Sequence, residues 1–350
     1  MEKYESQTPK YFAAANGYNG FKSYFAEIFD PRRYDRIYVL KGGPGTGKST
    51  FMKKIASSFC EKSAYVECIH CSSDPHSLDG VIIGRDEKKV AVIDGTAPHE
   101  RDALLPGAFD EITDLAKAWD MRWLRAQKER ISELNIQKVE AYKTAYRYLG
   151  LAGSATAPTT AFEKNLNRYN IRNIAIKIAA EIKTDAKVGE EQLRLTSAFG
   201  GRGSVRFDTI ERMAKTLYKL PDSTASRILL GEIHSMLSNE KTELTVCKNP
   251  LDYTLTDAIY IPSNGIGLVC IENGNDIDLS QLSAPSNTEK ETTRVARDIY
   301  TLALFEAERW FSIAADIHAR LENIYSCAVN FSVIDEIYDS KFAEICEIMS

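Results

Sequence analysis

No stretch of this 350-residue chain is apolar over the roughly 20 residues that a membrane helix needs, so no spanning segment is expected. The opening residues, MEKYESQTPKYF, lack a basic start followed by an apolar run, so no signal peptide is expected either. An excess of one charge is also missing. The 44 Lys and Arg stand against 49 Asp and Glu, and a net charge of −5 gives no global attraction to nucleic acid. Cysteine is scarce and odd in number. Cys60, Cys68, Cys71, Cys247, Cys270, Cys327 and Cys346 are scattered, several within apolar runs, which fits reduced thiols in a cytoplasmic protein better than a disulfide framework. Zinc is not expected: Cys68 and Cys71 form a single Cys-x-x-Cys, and on a strand they would point to opposite faces.

What is present is a globular composition, 44% hydrophobic and 27% charged, in a chain long enough for two domains. The most informative run is KGGPGTGKST, Lys41 to Thr50, in which Gly42 to Ser49 read G-x-x-x-x-G-K-S. Arg36 to Leu40 before it form a short apolar, β-prone run that predicts a buried parallel strand. After it, apolar residues at 51, 52, 55, 56 and 59 predict an amphipathic helix. Strand, glycine loop and helix in this order predict a phosphate-binding loop formed by Gly42, Gly43, Pro44, Gly45, Thr46, Gly47, Lys48, Ser49 and Thr50. Residues without a Cβ let the backbone turn its N–H groups toward phosphate oxygens, and the new helix adds its positive end. Lys48 is the candidate for the β- and γ-phosphates, and the Ser49 hydroxyl for Mg²⁺.

A metal site also needs a carboxylate. Lys89 to Asp94 read as an apolar strand ending in Asp94, which predicts a second Mg²⁺ ligand beside Ser49 and a catalytic role. No Glu follows Asp94 directly, so the group that orients attacking water is sought further on, at His99 and Glu100 of GTAPHE. His70, Asp74 and Asp79 lie at the exit of another apolar strand, Tyr65 to Cys71, and are candidates for contact with the γ-phosphate or a second substrate. Asp74-Pro75 equally suits a turn, and Asp74 or Ser77 a helix cap.

The chain also resembles itself. Shifted by 178, Leu78 to Ile83 fall on Thr256 to Ile261, Val90 to Asp94 on Leu268 to Glu272, and Asp79 on Asp257. Near the start of each half a shift of 183 aligns Phe12 to Gly20 with Leu195 to Gly203. The expected fold is therefore α/β, a P-loop NTPase core with a degenerate second copy and long helical extensions. The expected domains are 1–190, with a helical hairpin insert over about 106–187, and 191–350, with C-terminal helices. The counterpart of the glycine loop is Lys219 to Ile228, where the glycines are gone, Ser226 replaces Lys48, and Asp222 would repel a phosphate.

Phe109 to Trp119, Met121 to Leu149 and Phe162 to Ala186 predict helices, with a break over Gly150 to Pro158. Residues 121–187 carry 13 Lys and Arg against 6 Asp and Glu, a basic arm that could touch nucleic acid or an acidic partner. A solvated helix face accounts for the same charges. Tyr142, Tyr146, Tyr148 and Tyr169 suit either base stacking or packing between helices.

AANGYNGFKSYFAEIF, KGGPGTGKST, HCSSDPHSLDGVII and AVIDGTAPHE, in this order, resemble a family of poorly characterised bacterial ATP-binding proteins with two tandem P-loop units. The resemblance covers the first hundred residues. It implies ATP binding with hydrolysis and supplies no substrate. Asn16, Gly17 and Gly20 match the family's N-terminal motif. The expected function is thus a Mg²⁺-dependent ATPase with one active loop and an in-chain partner domain, to which Arg202 or Arg206 would contribute an arginine finger. The alternatives are a small-molecule or nucleoside kinase using Asp74 or Asp79 as base, and a nucleotide-gated module that binds protein or nucleic acid.

Overall fold

The computed structural model describes residues 8–98, 101–163, 168–183, 186–277, 279 and 287–350. The first half opens with β1 (Lys10–Phe12), the hairpin β2 (Ala14–Gly17) and β3 (Gly20–Ser23), and a short helix α1 (Phe25–Ile28). There follow β4 (Arg36–Lys41), α2 (Lys48–Glu61), β5 (Tyr65–His70), β6 (Leu78–Arg85), β7 (Lys88–Asp94) and β8 (Asp110–Asp114). A 3-10 turn, Leu115–Ala118, leads to α3 (Met121–Ala126), α4 (Lys128–Glu163) and α5 (Arg168–Lys183). The second half contains β9 (Glu191–Arg194), the hairpin β10 (Ser197–Gly200) and β11 (Gly203–Arg206), α6 (Thr209–Met213), β12 (Thr216–Pro221) and α7 (Thr224–Asn239). It continues through β13 (Leu244–Lys248), β14 (Thr256–Ile261), β15 (Ile266–Ile271), α8 (Asn287–Ser326) and α9 (Phe331–Ile348).

The fold is mixed α/β. The larger sheet has the order β1-β5-β6-β7-β4-β8, and the smaller, read from its other edge, β9-β13-β14-β15-β12. The first five positions of the two sheets are filled in the same order. In each, only the strand of the central meander, β6 or β14, runs against its neighbours. All other strands end at one edge, where the loops that follow β4 and β7 lie side by side. β4 is apolar throughout its centre because it is covered on both faces, a property of interior parallel strands. On one face Phe51, Met52, Ile55 and Phe59 of α2 pack against Tyr38, Leu40, Val81, Ile83 and Val92.

The halves meet where β1 and β9 end. Phe12 and Leu195 exchange backbone hydrogen bonds of 2.8 and 3.2 Å. Beside them Arg194 Nε lies 2.6 Å from Glu67 Oε1, with side chains only 2% and 3% exposed. The long helices then cross between halves. Leu134 and Ala141 of α4 pack on Ala314, Ile317 and Leu321 of α8, while Ala145 and Leu149 meet Ala307 and Phe311, so the two helices run antiparallel. α5 covers α7 through Ile171, Ala175 and Ile182. Ile345 and Met349, in and just after α9, cover α2 and the first sheet. Each half is thus roofed by a helix of the other. Among the described residues no helix is long and apolar enough to cross a membrane.

Two expected elements differ. The helix expected over 109–119 is the strand β8 followed by a 3-10 turn. β4 would otherwise present an unpaired edge of N–H and C=O groups, and parallel pairing of Ile37–Lys41 with Asp110–Asp114 satisfies them. The buried Asp110 carboxylate fixes the strand by accepting the N–H groups of Leu104 and Leu105 and the guanidinium of Arg101. The break expected at Gly150 to Pro158 is absent, since α4 is continuous from Lys128 to Glu163. Gly153 serves a close approach instead: a Cβ there would stand 2.6 Å from Tyr18 Cβ.

Candidate functional site

The turn between β4 and α2 is built on two glycines in the left-handed region, Gly45 at φ 69° and Gly47 at φ 86°. Gly47 occupies the N-cap position of α2, and no side chain caps this helix end. The first-turn N–H groups are therefore offered to whatever lies in front of them, together with the positive end of the helix dipole. The Thr46 hydroxyl closes the turn on the Gly43 carbonyl. Lys48 Nζ donates to the carbonyls of Gly42 and Gly43, both at 2.9 Å, and lies 3.6 Å from Asp94 Oδ2. Asp94 is brought there by register, because it ends β7 directly opposite Leu40 at the end of β4. Its other oxygen accepts Thr96 N–H at 2.8 Å and Thr96 Oγ1 at 2.6 Å. The Ser49 hydroxyl oxygen accepts the Leu78 N–H at 2.9 Å, which ties the loop to the start of β6. Thr50 is exposed on the first turn of α2.

Of the other candidates, His99 and Glu100 lie outside the described residues. His70 belongs to the junction between halves: its Nδ1–H donates to the Pro75 carbonyl at 2.7 Å, and its ring lies 4.7 Å from that of Phe207 and 6.4 Å from that of Phe12. Asp74 folds back on its own turn, accepting the His76 N–H at 3.2 Å and the Ser77 hydroxyl at 2.8 Å. Asp79 is buried at the start of β6, beside the Cys71 thiol. Burial, and then that carboxylate, push the thiol's pKa well up. Arg206 pairs with Glu211 of its own half at 2.6 Å, whereas Arg202 reaches across to Asp74 at 4.0 Å. Asn16 is buried, bonding the Phe199 carbonyl at 2.8 Å and the Tyr146 hydroxyl at 2.7 Å. Tyr142 and Tyr146 pack around Phe311 of α8, while Tyr169 is exposed.

The region after β12 is chemically different. Ser223 caps α7 by accepting the Ser226 N–H at 3.2 Å. Arg227, 178 positions after Ser49, bridges Asp222 and Asp257 at 2.6 Å each. Asn249 adds two bonds to Asp257 at 3.1 and 3.2 Å. This helix start is satisfied by its own side chains and offers little to an anion.

Sequence reasoning missed the residues that cover the glycine loop. They come from the far end of the chain. A Cβ on Gly45 would stand 2.4 Å from the Glu322 carbonyl oxygen, and one on Gly43 would stand 2.9 Å from the Tyr325 ring and 3.2 Å from Trp119. Burial raises the Glu322 pKa and Asp74 adds to the rise, while Lys48 and the Gly45 N–H oppose it. One turn earlier, His318 is pushed down to about 4 by burial, then by Lys138 and Lys48, with Asp74 opposing. Nothing local marks Glu322 or His318, which sit in an ordinary amphipathic helix. A groove of about 440 Å³ opens beside this cover, lined by Lys117 to Asp120, Cys327 to Asn330 and Val333. Within it the indole N–H of Trp119 has no hydrogen-bond partner among the described residues.

Comparison with protein-family models, curated proteins and solved structures gives no match for this chain.

Proposed function

We propose that the chain is a Mg²⁺-dependent ATP-binding protein, an ATPase with a P-loop core in its first half and a duplicated, degenerate copy in its second. The observation that carries this reading is the uncapped start of α2, with left-handed Gly45 and Gly47 in front of it and Lys48 and Asp94 3.6 Å apart beside it. Backbone amides converging on a helix end are suited to an anion, and a lysine beside them to a phosphoryl group rather than a carboxylate ligand alone. Ser49 and Asp94 are the residues that would hold Mg²⁺, whose charge would offset that of the phosphates. The groove beside Trp119 offers room for a base and ribose. Duplication is supported by the shared strand order and by α2 and α7 following equivalent strands. In the second copy, the Asp222–Arg227–Asp257 bridge takes up the space and charge that a phosphate and cation would otherwise supply. The kinase alternative is weaker because Asp74 is engaged by its own turn and Asp79 is buried beside the Cys71 thiol. Free thiols suit the reducing cytoplasm.

The test is Mg²⁺-dependent phosphate release by wild type and Lys48→Ala, with and without small hydroxyl acceptors. Release without an acceptor, lost in Lys48→Ala, is expected. Because charge-assisted hydrogen bonds contribute about 1.5–3 kcal/mol each, ATP affinity should also fall by roughly 10–100-fold. Turnover that ignores the substitution would overturn the reading.

A further inference from the structure

Each half sends a hairpin into the other. The tip of β2–β3 rests on the turn between β13 and β14: the Tyr18 N–H donates to the Leu251 carbonyl at 2.9 Å, and a Cβ on Gly17 would stand 2.7 Å from the Tyr253 ring. The tip of β10–β11 rests in the same way on the turn between β5 and β6. A Cβ on Gly200 would stand 2.9 Å from the Ser72 carbonyl oxygen, and one on Gly201 2.9 Å from the Ser312 backbone of α8. Next in this tip comes Arg202, whose half-exposed guanidinium lies 4.0 Å from the Asp74 carboxylate. The turn it touches is tied to the glycine loop. Asp74 accepts the Ser77 hydroxyl at 2.8 Å, and the following residue, Leu78, donates its N–H to Ser49 Oγ at 2.9 Å. At the other, eroded loop the corresponding tip residue, 183 positions before Arg202, is Asn19. The two tips dock alike, so docking does not require the charge. The arginine goes to the half that keeps its glycine loop, and an uncharged residue to the half that has lost it.

Resting on the nucleotide-site reading above, we propose that Arg202 is delivered by the second half to the nucleotide of the first, where its guanidinium stabilises the charge that develops on the γ-phosphoryl group. In the free chain it is parked on Asp74, and an ion pair this long and this exposed is readily exchanged for a phosphate. Ser312 under the tip and Glu322 over Gly45 stand ten residues apart on α8, about 15 Å. An extended arginine and a bound triphosphate cover that distance between them. In the step served, a water oxygen bonds to the γ-phosphorus, and the bond from that phosphorus to the β–γ bridging oxygen breaks. Its electron pair leaves on ADP, and the water protons pass to the released phosphate and to solvent. Arg202 forms no covalent bond. It donates to oxygens whose charge rises on the way to the transition state, so it lowers the barrier more than it tightens ATP binding. The degenerate half thereby has a task that needs no nucleotide of its own.

The test compares full-length wild type, Arg202→Ala, Arg202→Lys, Arg206→Ala and Lys48→Ala in Mg-ATP turnover, in calorimetric Mg-ATP binding, and in trapping of Mg-ADP with aluminium fluoride, a mimic of the phosphoryl group in transfer. Arg206 is the control, because it pairs with Glu211 of its own half. In Arg202→Ala, kcat is expected to fall about 10³-fold or more, with ATP affinity kept within about threefold and aluminium fluoride trapping lost. Arg202→Lys should regain little, because an ammonium lacks the planar fork. Low, non-denaturing guanidinium should restore part of the rate to Arg202→Ala and none to Lys48→Ala. Undiminished turnover in Arg202→Ala, beside its loss in Lys48→Ala, would overturn the role of Arg202 and leave the nucleotide site standing. Equal losses in Arg202→Ala and Arg206→Ala, or a fall in ATP affinity that matches the fall in kcat, would overturn it too, by making the hairpin a structural or binding element. A wild type that releases no phosphate would overturn the ATPase reading and this proposal with it.

Discussion

His318 faces Lys138 of α4, Lys48 of the glycine loop, Asp74 of the β5–β6 turn and Glu322 on its own helix. Burial and the two lysines disfavour its charged form, and its pKa falls from 6.5 to about 4. The sign follows directly. Between about pH 6.5 and 4 the unfolded chain takes up a proton that the folded chain refuses, so this contribution to stability is intact above that window and is lost as the pH falls through it. An imidazole titration followed by proton NMR should give His318 a midpoint far below that of an exposed histidine. A midpoint near 6.5 would mean that this ring is not buried among these charges. The same cluster shows what single residues disclose. Lys48 and Asp94 were legible because a glycine loop and a strand end announce themselves locally. His318 and Glu322 were not, because their chemistry depends on which surface α8 covers.

At the scale of elements, packing overrode local preference in α4. Gly150 and Gly153 each cost a helix about 1 kcal/mol relative to alanine, and on propensity alone this is a stop. At Gly153 the lack of a side chain is needed, because Tyr18 leaves no room for a Cβ there. Gly153→Ala should therefore destabilise the protein by about 1–3 kcal/mol, overpacking outweighing the gain in propensity. Gly231→Ala in α7, where a Cβ meets nothing within 4 Å, should instead stabilise it by up to about 1 kcal/mol. Urea denaturation midpoints decide both. β8 shows the same principle in a strand: Asp-Glu-Ile-Thr-Asp has little β character of its own and is recruited by the open edge of β4.

At the scale of the molecule the two halves are not separable bodies joined by a linker. The Glu67–Arg194 pair is sealed between them, and removing one partner strands a buried charge. Glu67→Ala should cost about 3–5 kcal/mol, measured by chemical denaturation, with Glu67→Gln less severe because it keeps an acceptor for Arg194. The crossing of helices has a second consequence. Residues 1–190 alone lack α9 and would bare Phe51 and Phe59, which are 2% and 1% exposed in the full chain. That fragment should bind a hydrophobic dye and aggregate, and co-expression of 191–350 should restore it to solution. A compact, monomeric fragment would mean that α9 is dispensable.

The sequence alone determined the local chemistry: a glycine loop between a buried strand and an amphipathic helix, an aspartate at the end of a neighbouring strand, and a spacing of 178 that links two α/β patterns. These are legible because hydrophobic period, glycine conformational freedom and chain reversal act over a few residues. Only the tertiary structure decided that α8 lies on the glycine loop, that each half is covered by a helix of the other, and that Arg227 bridges Asp222 and Asp257. Such contacts join residues tens to hundreds of positions apart. They are selected by which buried surfaces fit together, and that is a property of the whole packed chain.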